Sequence, residues 1–144
     1  MKQLFLALAF VPFLVPFFVP SIALADVPNI VGTWRGQTTA TVYGSGGHHP
    51  HDLGGGVTYR SIETTYVFEH QQGRNFYGKF VSSATSEFLI GTFSRDNQRG
   101  IMVDLDGQFT FHLYEPNKME VCYGHPLGSG SHAVAACTDL TRQQ

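Results

Sequence analysis

The chain has 144 residues, 42% of them hydrophobic, with nine Lys and Arg against eleven Asp and Glu. That is enough apolar material for one packed domain, and the formal net charge of −2 comes without any basic run. The salt-dependent pull on phosphates that nucleic-acid binders need is therefore missing, and no nucleic-acid partner is expected.

The first segment, MKQLFLALAFVPFLVPFFVPSIALA, carries one basic residue (Lys2), an apolar centre and the small-residue pattern Ala23-Leu24-Ala25. It predicts a secretory signal peptide over 1–25, cleaved before Asp26. A membrane anchor is the alternative, but Pro12, Pro16 and Pro20 would each remove a helix hydrogen bond and no stop-transfer charge cluster follows. The expected mature domain, 26–144, has 119 residues and carries eight Lys and Arg against eleven Asp and Glu once Lys2 is removed, a net charge of −3. Its expected location is the periplasm or the extracellular space, with no membrane-spanning segment left.

Turn chemistry then recurs at regular intervals: QQGRN, SSATS, RDNQRG, DLDGQ, EPNK and PLGSGS. Spacings of roughly 10 to 13 residues suit short antiparallel strands joined by tight hairpins. Between the turns apolar residues alternate, as at Phe109, Phe111 and Leu113, or at Met119, Val121 and Tyr123. A period of two means one buried face and one wet face. Eight strands are predicted, over 31–43, 57–71, 74–82, 87–95, 100–105, 108–115, 118–125 and 132–141. Eight sequential antiparallel strands lose their edges by closing. The predicted fold is all-β, a single eight-stranded antiparallel up-and-down meander barrel. A two-sheet sandwich is the alternative, disfavoured because every turn is short.

The mature chain has two cysteines, Cys122 and Cys137, and thiols in an oxidising compartment tend to pair. A last hairpin turning about Ser129 and Gly130 sets Cys122 opposite Cys137, Val121 opposite Thr138 and Met119 opposite Leu140. This register joins the apolar faces and predicts a disulfide on the outer face, at the small cost of placing Glu120 against Asp139. Two free thiols are the alternative.

The mature N-terminus reads IVGTWRG and the last strand ends LTR at Arg142. The pattern resembles the calycins, the barrel shape shared by lipocalins and avidins. The resemblance implies that Trp34 on the first strand is covered by Arg142 from the last, a cation–π contact sealing one end of the barrel. Avidins enclose biotin with several tryptophans, and Trp34 is the only one here, so biotin is not expected.

If Trp34 and Arg142 mark the closed end, the stretch GSGGHHPHDLGGG (44–56) lies at the mouth, and His125 and His132 flank another mouth turn. Five of the seven histidines, His48, His49, His51, His125 and His132, are thereby gathered at one end. Imidazoles beside Asp52 could bind zinc, copper or nickel, could form a rim whose charge changes with pH, or could simply be solvated. His70 and His112 read as outer-face polar residues. No other cofactor is expected.

The leading functional expectation is an exported barrel that binds a small, partly apolar molecule at its mouth. Tyr66, Phe68, Phe88, Phe109, Phe111 and Tyr123 are the candidate lining residues, with Phe76 and Phe80 as further interior aromatics. The second is a filled barrel that meets an envelope protein, as an inhibitor or accessory factor would. An enzyme is the third, and no acid, base or nucleophile set stands out to support it. Ser129 and Ser131 near His132 read as turn chemistry, and Asp104 and Asp106 as a wet face entering an Asp-Gly hairpin.

Overall fold

A computed structural model describes residues 26–44, 56–83, 85–125 and 132–144. The expected signal segment, the loop histidines His48, His49 and His51, and the turn residues Ser129 and Ser131 fall outside them. Eight strands follow one another: β1 (Gly32–Gly44), β2 (Val57–Gln72), β3 (Asn75–Val81), β4 (Ser86–Phe93), β5 (Arg99–Val103), β6 (Gln108–Glu115), β7 (Lys118–His125) and β8 (His132–Arg142). Each pairs antiparallel with the next, and β1 pairs with β8 to close the barrel. The meander expected from the turns is therefore present as a closed barrel and not as a sandwich. No helix among the described residues is long and apolar enough to cross a membrane.

The period-two patterns face as their parities require. Inward side chains include Trp34 and Thr38 on β1, Thr64, Tyr66 and Phe68 on β2, Phe109, Phe111 and Leu113 on β6, and Met119 and Val121 on β7, all buried. β7 and β8 keep the expected register, with Cys122 opposite Cys137 and the two joined by a disulfide. The bond closes a sequence separation of 15 residues, which constrains the unfolded chain by about 3 kcal/mol on the chain-entropy account. Two bulges break the ladders, one between Phe68 and His70 on β2 and one between Leu113 and Glu115 on β6.

One half of the barrel is filled. Phe68, Phe76, Phe93 and Phe111 meet edge to face with ring centroids 5.0 to 5.7 Å apart, a favoured geometry for aromatic quadrupoles. The Phe111 ring occupies the inward side of Gly100, where a Cβ would stand 2.5 Å from it; only glycine leaves that room. Trp34 and Ile30 complete this end without exposure.

Residues 26–31 fold across the filled end. Ile30 donates its backbone N–H to Gln71 Oε1 at 3.0 Å, and Gln71 Nε2 donates to the Pro28 carbonyl at 2.9 Å. The Trp34 indole N–H donates to the Ile30 carbonyl at 2.9 Å. Arg142 donates to the carbonyls of Asn29, at 3.1 Å, and Val31. Its guanidinium carbon lies 5.7 Å from the Trp34 ring centroid and beside Gly32, whose φ of 137° suits glycine. The Trp34–Arg142 contact is thus part of a strap held by Gln71 from β2 and Arg142 from β8.

Replacing Arg142 with Ala removes two charge-assisted hydrogen bonds and the ring cover together, so it is expected to destabilise the fold by about 1 to 3 kcal/mol. Arg142→Lys should recover little of it, because an ammonium cannot span both carbonyls as the planar fork does. Denaturant unfolding followed by emission of the single tryptophan measures both.

Candidate functional site

Among the described residues the other half of the barrel is not filled. Going from the Phe cluster toward the opposite end, the inward positions of β1 and β8 change from Trp34 and Leu140 to Thr38 and Thr138, then to Ala40, Ala136 and Val134. Small side chains in a barrel of fixed girth leave space. A cavity of about 200 Å³ lies there, bounded by Tyr66, Phe80, Phe109 and Tyr123 on one side and by Ala40, Val134 and Ala136 on the other.

Its inner boundary is a row of hydroxyls. Thr38 Oγ1 meets Thr64 Oγ1 at 2.8 Å and Thr138 Oγ1 at 2.5 Å, all three residues being buried. Each hydroxyl can donate and accept, so the row satisfies itself without water. The aromatic wall is continuous: Tyr66 lies 5.3 Å from Phe80 and 6.3 Å from Phe109, and Phe109 lies 4.6 Å from Tyr123, between ring centroids.

Polar groups crowd the outer part. Glu87 on β4 and Asp104 and Asp106 after β5 line the cavity, as do Arg60, His125 and His132. Asp104 continues the inward parity of Gly100 and Met102, so it faces the cavity and not the solvent side expected of it. Its Oδ1 accepts the backbone N–H groups of Asp106 at 3.1 Å and Gly107 at 2.6 Å, which fixes the turn. Its Oδ2 is buried with no hydrogen-bond partner, and so is Nδ1 of His132; among the described residues these are the two such side-chain atoms, and both belong to cavity-lining residues.

The carboxylates act on the phenols. Burial pushes the Tyr66 hydroxyl above the ordinary tyrosine range, and the negative charge of Asp104 adds to it. Tyr123 is raised in the same way, by burial first and then by Asp104, Asp106 and Glu87. Both phenols therefore hold their protons to higher pH than an exposed tyrosine does.

The candidates read from the sequence divide three ways. Tyr66, Phe109 and Tyr123 line the cavity. Phe68 and Phe111 lie in the filled half, against Phe76. Phe88 points outward and is 60% exposed, while its neighbour Leu89 takes the inward place; β4 runs with the parity of Leu89, Gly91 and Phe93. The histidines His125 and His132 stand at the rim with rings stacked 4.7 Å apart, and His125 Nδ1 is 3.3 Å from the Tyr123 hydroxyl. Among the described residues no three His, Cys, Asp or Glu side chains come together in a way that could hold a metal ion. Thr38, Thr138, Glu87 and Asp104 are lining residues that periodicity alone did not single out.

No family model matches the chain, and the curated proteins contain no match. Among solved structures it is similar to the S-type phycobiliprotein lyase CPES from Guillardia theta, with 12% sequence identity, a TM-score of 0.38, and coverage of 80% of this chain and 89% of that one.

The raised phenols make an alkaline prediction with a definite sign. An unfolded chain gives up tyrosine protons near the ordinary value of about 10, whereas folded Tyr66 and Tyr123 hold theirs, so the stabilising effect is full below about pH 10 and is lost as pH rises beyond it. Unfolding free energy measured across that range should fall more gently for Tyr66→Phe than for the parent chain. An unchanged slope in both Tyr66→Phe and Tyr123→Phe would show that neither phenol is shielded.

Proposed function

We propose that the chain is an exported barrel that binds a small, partly apolar molecule in its mouth cavity. The observation that carries this reading is the half-empty interior: an aromatic wall and a few convergent polar groups around about 200 Å³. Small-molecule sites have this makeup, although drug-sized ones run to roughly 300–1,000 Å³. The fit is to a single-ring molecule or to one end of a longer one. The Cys122–Cys137 disulfide supports export, since such bonds persist in oxidising compartments, and the N-terminal signal pattern supports periplasmic or secreted delivery.

A second reading has an observation of its own. On the outer face of β3, β4 and β5, Tyr77, Phe88, Ile90, Ile101 and Val103 are all at least 36% exposed, and the register sets Tyr77 beside Ile90 and Ile90 beside Val103. A connected apolar area of this kind suits contact with an envelope protein, and it is compatible with an occupied cavity. Zinc or copper at the rim has less support: His125 and His132 supply two imidazoles, half a tetrahedral set, and the remaining ligands would have to come from His48, His49 or His51.

Benzyl alcohol, neutral and single-ringed, tests the cavity. Titration followed by backbone amide NMR is expected to shift the signals of Phe109, Val121, Tyr123 and Ala136, and Ala136→Phe, which fills the space, should abolish most of that binding while Trp34 emission stays native. Shifts confined to Tyr77, Phe88 and Ile90 would favour the outer face instead.

A further inference from the structure

The polar groups of the cavity are unevenly committed. Among the charged residues that line it, Arg60, Glu87 and Asp106 each already interact with another group, and Glu87 also accepts the Thr85 hydroxyl at 3.1 Å. Asp104 differs. One of its oxygens is used by the turn and the other is buried and unpartnered. A carboxylate oxygen shut away from water without a donor is costly to leave so, and a donor brought by a ligand would remove the cost.

The surroundings specify the donor. Three carboxylates, those of Glu87, Asp104 and Asp106, are among the lining residues, against one guanidinium, that of Arg60. Tyr66, Phe109 and Tyr123 line the same cavity as Asp104, and aromatic rings attract cations through their quadrupoles. A bare metal ion gains from the carboxylates but nothing from the apolar wall. An anion meets repulsion. An organic ammonium satisfies both, its N–H groups toward Asp104 and its hydrocarbon part against the rings.

From this geometry we infer that the mouth cavity selects small organic cations, with Asp104 as the residue that recognises the ammonium group. The inference rests on the cavity being a binding site and adds the charge of what enters it. The floor fits the other end of such a molecule: the hydroxyls of Thr38, Thr64 and Thr138 are engaged with one another, so the inner part of the cavity asks for little hydrogen bonding.

Benzylamine, benzyl alcohol and benzoate have nearly the same shape and differ in charge. In NMR or calorimetric titrations of the mature protein near neutral pH, benzylamine should bind about tenfold or more tightly than benzyl alcohol, and benzoate most weakly. Asp104→Asn keeps an oxygen to cap the turn, and it should collapse the ratio of benzylamine to benzyl alcohol affinity to near one. If Asp104→Asn lost the native Trp34 emission, Glu87→Gln supplies the second variant and should narrow the preference in the same direction. Equal binding of the three probes inside the cavity would overturn the inference and leave the cavity reading standing, as would tighter binding of benzoate. No binding by any of them would overturn both.

Discussion

Closure of β1 against β8 is the constraint from which the remaining features follow. With eight strands tied into a ring, the girth of the interior is set by the backbone and cannot relax around whatever side chains are placed inside. The volume of the inward residues then decides what each half is. Where they are Trp34, Phe68, Phe76, Phe93 and Phe111, the barrel is a packed core. Where they are Ala40, Val134 and Ala136, the same wall encloses space. The strap at residues 26–31 belongs to this logic, because a filled end still exposes ring edges until something covers them, and Gln71 and Arg142 hold the cover in place.

The placement of polar groups follows the same division. Inside the filled half a polar atom has no water to fall back on, and the one polar row next to it, Thr38 with Thr64 and Thr138, is internally satisfied. The unpartnered atoms of Asp104 and His132 are at the cavity instead. Unsatisfied groups cost stability wherever they lie, and these two belong to residues around one space and not to the packed core. The filled half supplies the stability that allows the open half to carry them.

Strand order, closure and the cysteine pairing were legible because each rests on a pattern with a period or a partner: alternation, turn residues at intervals, two cysteines at matching register positions; the Trp34–Arg142 contact was expected from the family resemblance alone. What was not legible has a local cause. In Phe88-Leu89-Ile90 three large apolar residues run together, so alternation cannot say which one faces inward, and the inward marker two residues on is Gly91, which has no side chain to reveal the parity. Asp104 was hidden differently. An Asp-Leu-Asp-Gly run is ordinary hairpin chemistry, and only the register of β5 shows that one of its carboxylates also completes an inward row begun by Gly100 and Met102. Depth was also beyond reach, since Phe68 and Tyr66 share a face but stand on opposite sides of the line between filled and open.

The mouth is not equally tied around its rim. β7 and β8 pair as far as His125 with Val134 and are joined covalently at Cys122 and Cys137, so the wall bearing the stacked imidazoles is held in one geometry. β4 and β5 pair only from Ile90 to Phe93. Before Ile90, the residues Ser86 to Leu89 of β4 have partners on β3 alone, and Glu87 lies in that stretch, facing the turn that carries Asp104 and Asp106 across an unladdered seam. Backbone groups that lack a ladder cost little to move, while a cross-linked hairpin costs much more. Any movement of the rim is therefore expected first on the β4–β5 side and last on the cross-linked β7–β8 wall.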